Sequence, residues 1–163
     1  MNFDSFVREW TRKYKPMRHD EKKGNKRFYL TDGLRGLVDF ATQTTNALSP
    51  SVVMESNQSG YVDRNSVEYL HVLYFFVHAE DKEMSDGEAA NRAKKQAVEH
   101  MLEFCNYLQQ AKENGDPDVR GISSDPIAFD SEGAEQNGWY ACQVQFKQTV
   151  MRDTCVNQDN YII

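Results

Sequence analysis

Val67-Glu68-Tyr69-Leu70-His71-Val72-Leu73-Tyr74-Phe75-Phe76-Val77 is the run that decides how this chain folds. Taken alternately, Val67, Tyr69, His71, Leu73, Phe75 and Val77 fall on one side, and Leu70, Val72, Tyr74 and Phe76 on the other. A strand with one wet face alternates apolar with polar residues. Here both sides are largely apolar, the pattern of a central strand covered on both faces. The run is β-branched and aromatic, and it is shorter than the ~20 residues a membrane-spanning helix needs.

Outward from this strand, Ala79 to Met84 turns the chain, and Ser85-Asp86-Gly87-Glu88 has the form of a capping box. In such a box the serine hydroxyl accepts from the backbone N–H three residues on, and the glutamate reaches back to the serine N–H. The helix that follows carries an apolar stripe of Ala90, Ala93, Ala97, Val98, Met101, Cys105 and Leu108, bordered by Leu102 and Phe104. Arg92, Lys95, Gln96, Glu99, Glu103, Asn106 and Gln110 make its solvated side. Asn114-Gly115 suits a left-handed stop, and Asp116-Pro117 prevents continuation.

Toward the N-terminus, Asn2 can cap a first helix in which Phe3, Phe6, Val7, Trp10 and Tyr14 recur at helical spacing until Pro16 limits it. This lone stripe can dock on its own chain or on a neighbour, so Phe3, Phe6, Val7 and Trp10 are candidate interface residues. A basic linker of about residues 15–27 follows, then the short apolar run Phe28-Tyr29-Leu30 and a second helix over about Gly33 to Thr44. Val52 to Glu55 forms a strand, and Asn57-Gln58-Ser59-Gly60 a turn into Tyr61 and Val62.

Toward the C-terminus, Pro126 to Asp130 is a short strand and Ser131 to Gly138 a polar loop. Trp139 to Val150 is an antiparallel strand with Tyr140, Cys142, Val144 and Phe146 inward and Gln143, Gln145, Lys147 and Gln148 on its wet side. Residues 151–163 lack a period but end in Tyr161-Ile162-Ile163, an arm whose three last residues are further interface candidates. The fold expected is one α+β domain over residues 1–163, a single mixed or antiparallel sheet carrying an N-terminal helix and a long central helix.

A chain of 163 residues can build a core without disulfides or metals. Its net charge of −6 opposes sequence-independent adhesion to nucleic acid, which needs a basic surface to release counterions. Cys105, Cys142 and Cys155 have no metal-ligand spacing, and an odd thiol remains however they pair, so buried reduced thiols are expected. His19, His71, His78 and His100 share no ligand spacing either, and His71 and His78, seven apart on one strand, point to opposite faces. Glu80, Asp81 and Glu83 form an acidic turn of the kind that can attract a divalent cation, though a solvated turn is the plainer reading. No phosphate loop, nucleophile elbow or zinc-protease motif occurs, so no catalytic residue, cofactor or metal is assigned. No signal peptide or apolar span is recognised at the start of the chain, and the expected setting is soluble and intracellular.

The segments Gly33 to Ala41, Ser51 to Glu55, Val72 to Val77 and Gly138 to Phe146, in the element order just described, resemble small tail-terminator and neck-ring proteins of tailed bacteriophages over roughly residues 30–150. The resemblance implies a structural, non-enzymatic subunit that joins copies of itself into a ring at the head-tail junction of a virion. It would contact portal, neck or tail proteins, be assembled in the host cytoplasm, and let DNA pass without sequence-specific binding. The alternative is a small cytoplasmic interaction or adaptor domain, dimeric rather than ring-forming.

Overall fold

A computed structural model describes residues 3–31, 47–79, 86–123, 129–132 and 138–151. Helix α1 spans Phe3–Lys13, and strand β1 Phe28–Thr31. Strand β2 spans Ser51–Val62 and β3 Ser66–His78, and helix α2 spans Asp86–Glu113. Strands β4 and β5 span Phe129–Glu132 and Trp139–Met151. Among the described residues the strands form one mixed sheet in the order β1-β2-β3-β5-β4. Among the described strands β1 and β2 run parallel and the other pairs antiparallel. The α+β class and the single mixed sheet under an N-terminal and a long central helix therefore hold.

Strand β3 is central, as its two apolar sides required. Its odd-numbered residues face the helices: Leu73, Phe75 and Val77 are buried with Val52, Met54, Cys142, Val144 and Phe146 beneath α1 and α2. Its even-numbered residues Val72, Tyr74 and Phe76 are buried on the second face with Val53, Trp139 and Ala141. Both faces thus have a core, and each fully buried large apolar side chain contributes about 1.5–3 kcal/mol.

Helix α2 buries Ala89, Ala93, Ala97, Met101, Phe104, Leu108 and Ala111. Phe104, expected at the border of the stripe, is instead its centre, within about 6 Å of the rings of Trp10, Phe75 and Phe146. Leu102 is exposed. A long helix presents a broad apolar arc, and the aromatic residues it meets decide which part of the arc faces inward. The helix stops at Gly115, whose φ of 72° is left-handed, while the N–H of Asp116 donates to the carbonyl of Ala111. The described helix begins at Asp86; Ser85 of the capping box lies outside the described residues, as does the helix expected over Gly33 to Thr44.

Two local expectations are corrected. Asn57 to Gly60 is no turn: β2 continues to Val62 through a register shift between Glu55 and Ser59, and the reversal comes at Asp63 to Asn65. Glycine and asparagine mark bulges as well as turns. Gln148 is not on the wet side of β5 but buried on the helix face, where its Oε1 meets His71 Nε2 at 2.9 Å and its Nε2 donates to the Arg120 carbonyl. Of the short strand expected over Pro126 to Asp130, residues 126–128 lie outside the described residues, and Phe129 and Asp130 are strand; β5 pairs along its whole length with β3.

Candidate interaction surface

The four apolar residues of α1 offered as interface candidates are consumed by the chain's own core. Phe3, Phe6, Val7 and Trp10 are all buried, Phe3 against His71, Phe104 and Phe146, and Trp10 against Phe75 and Phe104. They leave no face for a neighbour, which corrects their assignment as contact residues. Aromatic partners from α2 and β5, distant in sequence, supply the cover a lone helix lacked. Tyr161, Ile162 and Ile163, and the acidic turn of Glu80, Asp81 and Glu83, lie outside the described residues.

The segment expected as a basic linker is a folded turn. Asp20 and Asn25 form a bridge around a short 3-10 turn at Glu21–Lys23, closed by Gly24 at φ 74°. His19 is buried beneath it, and burial lowers its pKa. The Arg27 guanidinium donates to the carbonyls of Ser49 and Pro50, tying the turn to the start of β2. Arg12, Lys13, Lys15, Arg18, Lys22, Lys23 and Lys26 remain exposed on this side of the molecule.

Apolar surface lies open where β2, β3 and β5 extend outward from the His71 row. There Val62, Val67 and Val150 are register partners on the helix face, and Val62 is 61% exposed. On the second face Tyr61 aligns with Glu68 and Thr149, and Met151 with Ser66; Tyr61 is 70% and Met151 76% exposed. The burial of β3 changes along its length: Ser66 to Leu70 are half-buried and His71 to Val77 buried. Lys147 pairs with Glu68 at 3.4 Å in this outer part, an exposed contact of small energetic weight. Tyr61, Val62 and Met151 were missed because they flank turns and strand ends, where an isolated apolar residue carries no period.

Two grooves flank α2. One, of about 510 Å³, gathers Ser49, His78, Arg92, Gln96, Glu99 and His100 between the start of β2, the end of β3 and the helix. His100 Nδ1 lies 2.8 Å from the Tyr14 hydroxyl, and burial lowers its pKa. Ser49 Oγ accepts from the backbone N–H of His78. The other groove, of about 630 Å³, runs between α1 and α2 past Trp10, Lys13, Tyr14, Glu103 and Tyr107. Both thiols of the described residues, Cys105 and Cys142, are pushed up to about 11 by burial, which keeps them protonated and unreactive. Among the described residues no three potential metal ligands cluster, and no helix is long and apolar enough to cross a membrane.

One buried group stands apart. Glu55 lies on the second face between Thr31 and Val72, only 7% exposed, and its Oε1 has no hydrogen-bond partner. The neighbouring Thr31 Oγ1 is likewise buried without a partner. Loss of hydration raises the Glu55 pKa.

No protein-family model matches the chain. No curated protein matches it at a significant level.

Proposed function

We propose that this chain is a structural subunit of a tailed-phage head-tail neck or tail-terminator ring, joining portal or neck to tail and letting DNA pass. The observation that carries this reading is the uncovered outer part of the sheet. A chain that hides apolar residues as thoroughly as the inner part of β3 does, yet leaves Val62 on the helix face and Tyr61 and Met151 on the second face more than half exposed at the outer end of the sheet, keeps a contact surface for another protein. The element order and the four segments that resemble neck and terminator proteins name the kind of assembly. The chain's net charge of −6 suits passage of DNA, because carboxylates repel phosphates. In this reading the protein resides in the virion and acts without catalysis.

The same surface would serve a dimeric cytoplasmic adaptor, and assembly size separates the two. Mass photometry and negative-stain imaging of the purified chain, alone and beside candidate neck and tail proteins, should show closed rings. A particle no larger than a dimer under both conditions overturns the ring.

A further inference from the structure

We infer that copies of this chain join head to tail through opposite edges of the sheet, β1 of one copy against β4 of the next. The inference rests on the ring reading and names the contact between copies, distinct from the outer end of β2, β3 and β5, which is left for a neighbour. Strands β1 and β4 are the two ends of the sheet among the described residues, four strand spacings or about 19 Å apart. Each is four residues long, and each presents one large exposed apolar side chain: Leu30 on β1, 51% exposed, and Phe129 on β4, 57% exposed.

The register places these two residues on the same face. Leu30 aligns with Met54 and Phe129 with Val144, and both partners belong to the core beneath the helices. Strand directions agree as well. Beginning at β1, the strands run up, up, down, up and down, so a copy added beside the sheet with the same face up sets its β1 antiparallel to β4. That is the pairing in which a four-residue edge can complete its backbone hydrogen bonds, with Leu30 beside Phe129.

Charge makes the two edges complementary rather than alike. Beside β1 the turn from Asp20 to Arg27 carries Lys22, Lys23, Lys26 and Arg27 against Asp20 and Glu21, whereas β4 carries Asp130 and Glu132 and no cation. Lys26 lies over the Tyr29 ring, 4.8 Å from its centroid, and exposed Lys22 and Lys23 sit in the adjoining turn. Tyr29 aligns with Val53 and Asp130 with Gln143, both on the second face, so the same apposition brings Lys26 toward exposed Asp130. Like edges repel and unlike edges attract, which selects a heterologous contact over a two-fold one. Heterologous contacts build rings or filaments.

Charge reversal tests the contact. One variant combines Lys22→Glu, Lys23→Glu and Lys26→Glu; the other combines Asp130→Lys and Glu132→Lys. Circular dichroism first checks that each folds like the native chain. Sedimentation velocity at low salt should show that native chains assemble, that each variant alone loses assembly at least tenfold in midpoint concentration, and that an equimolar mixture regains it, because one variant then has two acidic edges and the other two basic edges. Native chains that assemble while both variants assemble equally well overturn the edge contact and leave the ring reading standing. Native chains that never assemble, alone or beside neck and tail proteins, overturn both. Loss in each variant without recovery in the mixture overturns the pairing of these two edges.

Discussion

Strand β3 is one strand in two environments, and the contrast between its halves is the most informative feature of the molecule. From His71 to Val77 every side chain is buried; from Ser66 to Leu70 every one is half-buried. Composition does not separate them, because Val67, Tyr69 and Leu70 in the outer half are as apolar as most of the inner half. What changes is the cover. Phe3 at the start of α1 lies against His71, 5.0 Å between ring centroids, and outward of that row burial falls off. Apolarity along a strand therefore reports what must be covered at some stage, whereas the helices decide how much of it the chain covers for itself.

The largest effect should come from charging the inner half. Leu73→Asp and Phe76→Asp place a carboxylate in opposite cores, both fully formed. Each should remove on the order of 5 kcal/mol, comparable with the whole stability of a domain, and abolish folding in soluble form. Soluble yield and far-ultraviolet circular dichroism measure this. A folded Phe76→Asp would mean that the second face is not a core, and the contrast would then lie between faces rather than halves.

The boundary row should give an intermediate effect. Gln148 bonds both His71 and the Arg120 carbonyl, so Gln148→Ala removes one buried and one part-buried hydrogen bond and should cost about 1–3 kcal/mol in urea unfolding. His71 itself has its pKa lowered by burial, as do His19 and His100. For a lowered histidine the unfolded chain binds the proton more readily, so the stability it carries is present above the ordinary value of 6.5 and is lost as pH falls below it. The midpoint of the native protein should drop between pH 7 and pH 5, and a flat profile would show that these rings stay exposed to water.

A smaller effect, of opposite sign, is expected at Glu55. Its carboxyl is buried without a partner for Oε1, and its raised pKa means that the native state favours the protonated form. The penalty is absent below the unfolded value near 4.5 and grows as pH rises through the folded one. Glu55→Met should therefore stabilise the chain by about 1–3 kcal/mol at pH 8 and by less at pH 4. Equal gains at both pH values would show that the charge of Glu55 is not what burial opposes.

Much of this fold was legible because period is a local signal. The two apolar sides of β3, the stripes of α1 and α2 and the Gly115 stop each follow from residues close in sequence. What was not legible depends on a distant partner. Gln148 looks solvated until His71, on the neighbouring strand two residues along from its register partner, is seen to meet its side chain. Phe104 becomes the centre of α2 only because Trp10, Phe75 and Phe146 meet there. Phe3, Phe6, Val7 and Trp10 seemed available to a neighbour for the same reason: no local pattern announces the α2 and β5 residues that cover them. The exposed Tyr61, Val62 and Met151 went unnoticed because surface exposure of an apolar residue is the absence of a partner, which sequence spacing does not encode.

The smallest effect on stability should come from the outer half, and it divides folding from assembly most cleanly. Val62 is 61% exposed, with Val67 and Val150 half-buried beside it in the same row, so Val62→Asp adds a carboxylate that stays hydrated. Exposed substitutions of this kind change stability by no more than about 0.5 kcal/mol, so the denaturation midpoint should match that of the native chain. If the outer sheet contacts a neighbour, the same charge must be desolvated when the two meet, and association should weaken although the fold is intact. Urea unfolding and light scattering on one preparation report the two quantities together. Unfolding by Val62→Asp would show that the outer row belongs to the core after all, and a folded variant that assembles like the native protein would remove this surface from the contact.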